Sequence, residues 1–280
     1  MNRIGIFGIF AVALGVWAGA LAAGPVQPEA LDHLPVADVV VLGEVHDNPL
    51  HHVNQARALA ALRPRALVFE MLTPAQVLGL PADRADPVAL EAVLGWRAAG
   101  WPDFAMYHPL FIVAPGAQIF GGAMARADVV QAMQDGAAAV FGPDAAGYGL
   151  TAVLAADQRA ELESEQAQAH CGALPADLLP GMVEAQRLRD AALARAVVAA
   201  LAATGGPVAV ITGTGHARKD RGVPAVLAAV APRLRVLSIG QLESDPGAAA
   251  PFDLWLITAP VDRGDPCEVF ANQAGPQQGS

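Results

Sequence analysis

Residues 36–46 read VADVVVLGEVH and residues 208–216 read VAVITGTGH, and these two stretches decide the fold. Each opens as a near-continuous aliphatic run, the pattern of a strand buried on both faces of a parallel sheet. Each run closes on a glycine, Gly43 or Gly213, with a histidine three residues further on, His46 or His216. Working outward, 66–69, 118–120, 234–239 and 254–257 read as further strands, the last as an edge strand. Helical stretches alternate with them at 49–62, 88–94, 128–134, 155–170, 176–203 and 224–230. Asn48 caps the first of these, with Pro49 at its first position, and Pro175 and Pro180 interrupt the long Ala-rich region. The alternation predicts an α/β protein: a single domain over about 30–270, with a central, mostly parallel sheet flanked by helices and a helix-rich middle insertion. No internal repeat and no linker divides it.

The ends read differently. Residues 1–23 form an export signal: Arg3, then an apolar run, then small residues at 20–22 that suit a signal peptidase. A retained anchor is the alternative, because the run is nearly long enough to cross a bilayer. No cysteine stands at the cleavage point to carry a lipid. With the signal cleaved no membrane span is left, and the expected location is periplasmic or secreted. Residues 271–280 read as a disordered tail. The formal net charge of −10 argues against nucleic acid or an anionic membrane surface as a partner. In an oxidising compartment Cys171 and Cys267 form a disulfide on one reading and stay two buried thiols on the other.

In open α/β sheets ligands bind in the crevice beyond the carboxyl ends of the strands. A glycine there lets the chain turn sharply, so that the next side chains point into the crevice. If 36–42 and 208–211 are neighbours, Glu44, His46 and His216 converge. Two imidazoles and a carboxylate are a ligand set for a divalent metal ion. They serve equally as base, acid and electrophile in a hydrolytic site. Glu70, ending the strand at 66–69, is a further strand-end acid. The chain has no GxSxG elbow, no Cys/His nucleophile pair, no Walker A and no dinucleotide fingerprint, which argues against serine or cysteine hydrolysis and nucleotide binding.

The stretches VVVLGEVHDNPLHH (39–52), LVFEM (67–71), MVEAQRLRDAALARAV (182–197) and VITGTGHARKDRGVP (210–224) resemble the ChaN-like haem-binding uptake proteins, grouped with the Tiki, TraB and erythromycin-esterase proteins. The resemblance runs over roughly 34–268. It implies a sheet with both GxxH segments in one cleft, and haem capture. In Tiki-like relatives the matching positions are linked with a metal-dependent peptidase activity. That implies metal ligands at Glu44, His46 and His216, with Glu44, Glu70 and Arg189 as catalytic or supporting groups. ChaN proteins are often lipid-anchored, and this chain lacks the anchoring cysteine.

Haem needs an axial ligand and an apolar platform. Tyr107, among Trp101, Phe104 and Met106, and Tyr148, in a glycine-flanked loop, are the phenolates available. His51 and His52 fall in the first turn of the helix at 49–62, one near the crevice and the other on the surface. Helix N-terminal amides there, and the cluster Arg218, Lys219 and Arg221, are candidates for the haem propionates. Two functions stand: an exported haem- or iron-binding protein of haem or iron uptake, and a metal-dependent hydrolase, peptidase or esterase, using the two GxxH segments. The expected ligand is haem or another small molecule, and a homodimer is left open.

Overall fold

The computed structural model describes residues 23–247, 249–265 and 267. The elements run β1 (Gly24–Pro25), β2 (Val39–Glu44), α1 (Pro49–Leu62), β3 (Ala66–Phe69), α2 (Pro74–Leu78), α3 (Pro87–Leu94), α4 (Phe104–Ile112), β4 (Gln118–Gly121), α5 (Arg126–Asp135) and α6 (Ala137–Phe141). Then follow α7 (Ala156–Ala169), α8 (Leu179–Thr204), β5 (Val208–Gly213), α9 (Val223–Val230), β6 (Val236–Leu242) and β7 (Leu254–Ile257). All seven strands join one parallel sheet in the order β1-β7-β6-β2-β5-β3-β4.

β2 and β5 are direct neighbours, registered from Val39 opposite Val208 to Glu44 opposite Gly213. The two quoted stretches therefore lie side by side within the sheet, and the segments that follow them leave at the same end. Both strands are buried throughout. Their alternate residues feed two cores, as the two-residue period of a strand requires. On one face Val40, Leu42, Phe69 and Ile211 meet Leu59, Leu90, Tyr107 and Phe111 of α1, α3 and α4. On the other Val39, Val41, Val68 and Val210 meet Leu193 and Val197 of α8 and Leu227 of α9.

Three local readings need correction. β7 is not the edge, because β1 pairs outside it, Gly24 opposite Leu254; two residues of strand carry no readable period. Pro180 does not interrupt the long helix but stands in the first turn of α8, where a missing N–H costs nothing. Gly43 makes no sharp turn. It lies within β2, where an added Cβ would come within 3.0 Å of the Ala217 Cβ and 3.1 Å of the Ile239 carbonyl. Close approach of neighbouring chain is what requires glycine there.

Cys171 and Cys267 form a disulfide across 96 residues, tying the chain after α7 to the C-terminal segment. Apart from Ala23, the expected export signal at 1–23 lies outside the described residues, as does the tail from 271. Among the described residues no helix is long and apolar enough to cross a membrane.

Candidate functional site

The strand ends build the site in two linked halves. In the first, Glu44, the last residue of β2, is buried and fully engaged. Its Oε1 accepts the Tyr107 hydroxyl at 2.5 Å and the His46 Nδ1–H at 2.8 Å. Its Oε2 accepts the Gln55 amide at 2.6 Å, with His52 Nδ1 at 3.5 Å. The carboxylate thus fixes the proton of His46 on Nδ1 and leaves Nε2 with a free lone pair. The His46 side chain is 32 % exposed while that of Glu44 is wholly covered, so the imidazole is presented outward by a buried acid. Gly213 matters here for what it lacks: an added Cβ would sit 2.9 Å from His46 Nε2.

In the second half, Glu70 follows β3. Its Oε2 accepts the Thr212 hydroxyl and the Gly213 N–H, each at 2.6 Å. Its Oε1 lies 3.4 Å from His216 Nε2 and 3.9 Å from His46 Nε2, so both GxxH histidines flank one carboxylate. The other nitrogen of His216, Nδ1, is 2.7 Å from Asp190 on α8. With a carboxylate at each nitrogen, His216 carries two protons. Burial opposes that charge, but Glu70 and Asp190 outweigh it and push the pKa up to about 10. Burial likewise opposes ionisation of Glu70, and His216 overcomes it, holding the carboxyl well below its usual range. For Asp190 burial wins, and the pKa is raised. His46 is held above its ordinary value: burial works against the proton, and Glu44 and Glu70 work for it.

These groups open onto a cleft of about 790 Å³, within the range of cofactor pockets. His46, Glu70, Thr73 and Gln76 supply uncharged and acidic polar groups. Met71, Trp101, Met124, Val129 and Leu193 supply apolar walls, and Arg126 and Arg189 are its cations. The Trp101 ring lies 5.1 Å from that of His46.

Several expected site residues do other work. Tyr107 is fully buried and donates its hydroxyl proton to Glu44; burial first, and then Glu44, raises its pKa far above the ordinary phenol value. In this arrangement its hydroxyl positions Glu44. Tyr148 is half-buried against Phe141, ring centroids 4.9 Å apart, and lines a separate cavity among α7, α8 and α9. His51 is buried, its Nδ1 accepting the Val45 N–H at 2.7 Å and its Nε2 lying 2.8 Å from the Thr258 hydroxyl. Burial lowers its pKa to about 4, and its ring ties Val45 to Thr258. His52 is also buried rather than on the surface. The basic cluster is neutralised: Arg218 pairs with Asp220, Lys219 with Asp253, and Arg221 with Glu161 and Glu165.

The proposed metal set of Glu44, His46 and His216 does not assemble around one point. Both oxygens of Glu44 are taken, and both nitrogens of His216 face carboxylates. Among the described residues no group of three His, Cys, Asp or Glu side chains is placed to hold an ion. Arg189 is exposed on the cleft and, among the described residues, has no ion pair with Glu70 or another acid. Residue reasoning alone missed Asp190 and Gln55, while Trp101, named in the aromatic segment around Tyr107, does line the cleft. Only the resemblance of residues 182–197, which include the adjacent Arg189 and Asp190, pointed toward Asp190.

An all-parallel α/β sheet whose central strand ends present an acid-held histidine to an apolar cleft defines a class of small-molecule-binding protein. The family model for haem-binding uptake proteins of the Tiki superfamily, ChaN, matches residues 30–227, and the chain belongs to that family. Membership indicates a haem-binding, uptake-related function. Among solved structures the chain is similar to one described as cofacial haem binding to ChaN of Campylobacter jejuni, at a TM-score of 0.52 and 19% identity, covering 76% of this chain and 83% of that one. That likeness shows the fold. No curated protein matches the chain.

Proposed function

We propose that this chain binds haem in the cleft, with His46 Nε2 turned toward the iron, and that it serves haem or iron uptake in an oxidising compartment of the cell envelope. The observation that carries the reading is the Glu44–His46 pair: the acid takes the Nδ1 proton and leaves Nε2, beside Glu70 and Gly213, as the second nitrogen of a part-exposed ring that lines a cleft walled by Trp101, Met71, Met124 and Leu193. Haem, when bound, supplies the iron chemistry; the chain supplies a basic nitrogen, a dry wall and a fixed ring orientation. Tyr107 and Gln55 keep Glu44 from swinging away. Because iron and proton compete for Nε2, affinity falls as pH drops below the raised pKa of His46. The Cys171–Cys267 disulfide supports an oxidising compartment, as does the reading of residues 1–23 as an export signal. Haemin titrated into purified protein should shift and sharpen the Soret band with a defined end point. Superimposable spectra with and without protein would end the proposal.

Hydrolysis is the second reading, favoured by the alternation Asp190, His216, Glu70, His46, in which acids and imidazoles stand within 2.7 to 3.9 Å of one another. Such a chain can hold and hand over a proton. Its metal-dependent form requires Glu44 or His216 to give up present partners. A stoichiometric divalent ion retained by the purified protein, and lost on replacing both His46 and His216 by Ala, would favour it.

A further inference from the structure

We propose that Arg126 and Arg189 bind the two propionates of the porphyrin, so that the cleft selects tetrapyrroles whose acid groups are free. This rests on the haem reading and adds the means of recognising the ligand's edge.

Two helices present matching faces to the cleft. The residues of α5 that line it are Arg126, Val129, Val130 and Met133, spaced as one helical face, and those of α8 are Arg189 and Leu193, one turn apart. α5 and α8 pack against each other. Each therefore offers a cation followed by apolar surface, which matches a ligand with a flat hydrocarbon body and carboxylates on its periphery.

Charge pairing leaves both residues available. Elsewhere in this acidic chain Arg57, Arg187, Arg218, Arg221, Arg235 and Arg263 are spent on carboxylates. Among the described residues Arg126 and Arg189 have no such partner, and of the arginines without one they are the two that line this cleft. Glu70, the carboxylate that lines the cleft with them, is already occupied by Thr212, Gly213 and the His216 imidazolium. Both guanidinium groups are exposed, so they can pair with an incoming carboxylate without first breaking a bond within the protein. Arginine offers a planar fork that fits a carboxylate with two parallel hydrogen bonds. The cluster that sequence pointed to, Arg218 with its neighbours, is bound to acids and leaves this role open.

The test uses the whole protein with haemin, metal-free protoporphyrin IX and the dimethyl ester of that porphyrin, following Soret absorbance and tryptophan quenching. The metal-free compounds separate edge recognition from any bond to iron. Each of Arg126→Gln and Arg189→Gln should weaken binding of the free acid about three- to thirtyfold, and the double variant should weaken it further. Wild-type protein should bind the diester as weakly as the double variant binds the acid, and the substitutions should leave diester binding unchanged. Arg233→Gln, exposed and away from the cleft, should change nothing. Melting curves superimposable on wild type would show that the variants are folded. If the double variant binds protoporphyrin IX within twofold of wild type, or if wild type binds the diester as tightly as the diacid while still binding haemin, the arginine assignment is wrong and the haem reading survives. If wild type binds neither haemin nor protoporphyrin, both are wrong.

Discussion

Replacing Glu70 by Gln tests the electrostatic core of the site. In the native chain Glu70 accepts from Thr212 and Gly213 through one oxygen and faces His216 through the other. A glutamine that keeps its carbonyl on Thr212 and Gly213 must turn its NH₂ toward the N–H of His216, donor against donor. Breaking a buried ion pair by removing one partner costs about 3–5 kcal/mol. The 3.4 Å separation and the surviving Asp190 contact place this case low, at about 2–3 kcal/mol. For a chain of this size that lowers Tm by roughly 5–10 °C. The sign with pH is specific. The folded pKa of His216 is raised to about 10. Its contribution is therefore fully present below the unfolded value near 6.5 and is lost as pH rises through 10. Urea or thermal unfolding of Glu70→Gln beside wild type should show the full penalty at pH 6 and less than about 1 kcal/mol at pH 10.5. A penalty equal at both pH values, or absent at pH 6, would refute the assignment of charge to His216.

Three further outcomes follow from the same geometry. Gly213→Ala places a methyl 2.9 Å from His46 Nε2, and because the imidazole is a movable side-chain end the fold should lose under about 1 kcal/mol. Haemin affinity, read from the Soret titration, should nonetheless fall about tenfold or more as the ring is displaced. Replacing Cys171 and Cys267 by Ser opens a 96-residue loop and should lower unfolding free energy by up to about 4–5 kcal/mol, matched in wild type by adding reductant during denaturation. His51 stays neutral when folded, with a pKa lowered to about 4, whereas it charges near 6.5 when unfolded. Stability should fall by up to about 3 kcal/mol between pH 6.5 and 4, and His51→Gln should flatten that slope.

The sheet was legible because strands buried on both faces carry long aliphatic runs, and 36–42 and 208–211 are such runs. That His46 and His216 leave the sheet at the same end was legible for the same reason, since a glycine and a histidine close each run; that they flank Glu70, with Glu44 set apart behind His46, was not. What was not legible is direction. Asp190 sits within an Ala-rich helix, where nothing in its neighbours shows that it reaches His216 from α8. Tyr107 stood out as an aromatic among aromatics, a pattern silent on whether its hydroxyl meets solvent, an iron or, as here, a buried carboxylate. Pro109 inside α4 hides a helix, although only one N–H is missing there. The basic run after Gly215 looked like an anion site because charge partners as distant in sequence as Glu161 and Asp253 cannot be paired by inspection.

On the haem proposal, the Nε2 of His46 is the group offered to the iron. His46→Gly should remove most of the haemin-induced Soret shift, and adding free imidazole should restore it while leaving wild type unaltered. If His46→Gly binds haemin with wild-type affinity and spectrum, with or without imidazole, iron is held elsewhere and the central claim is contradicted.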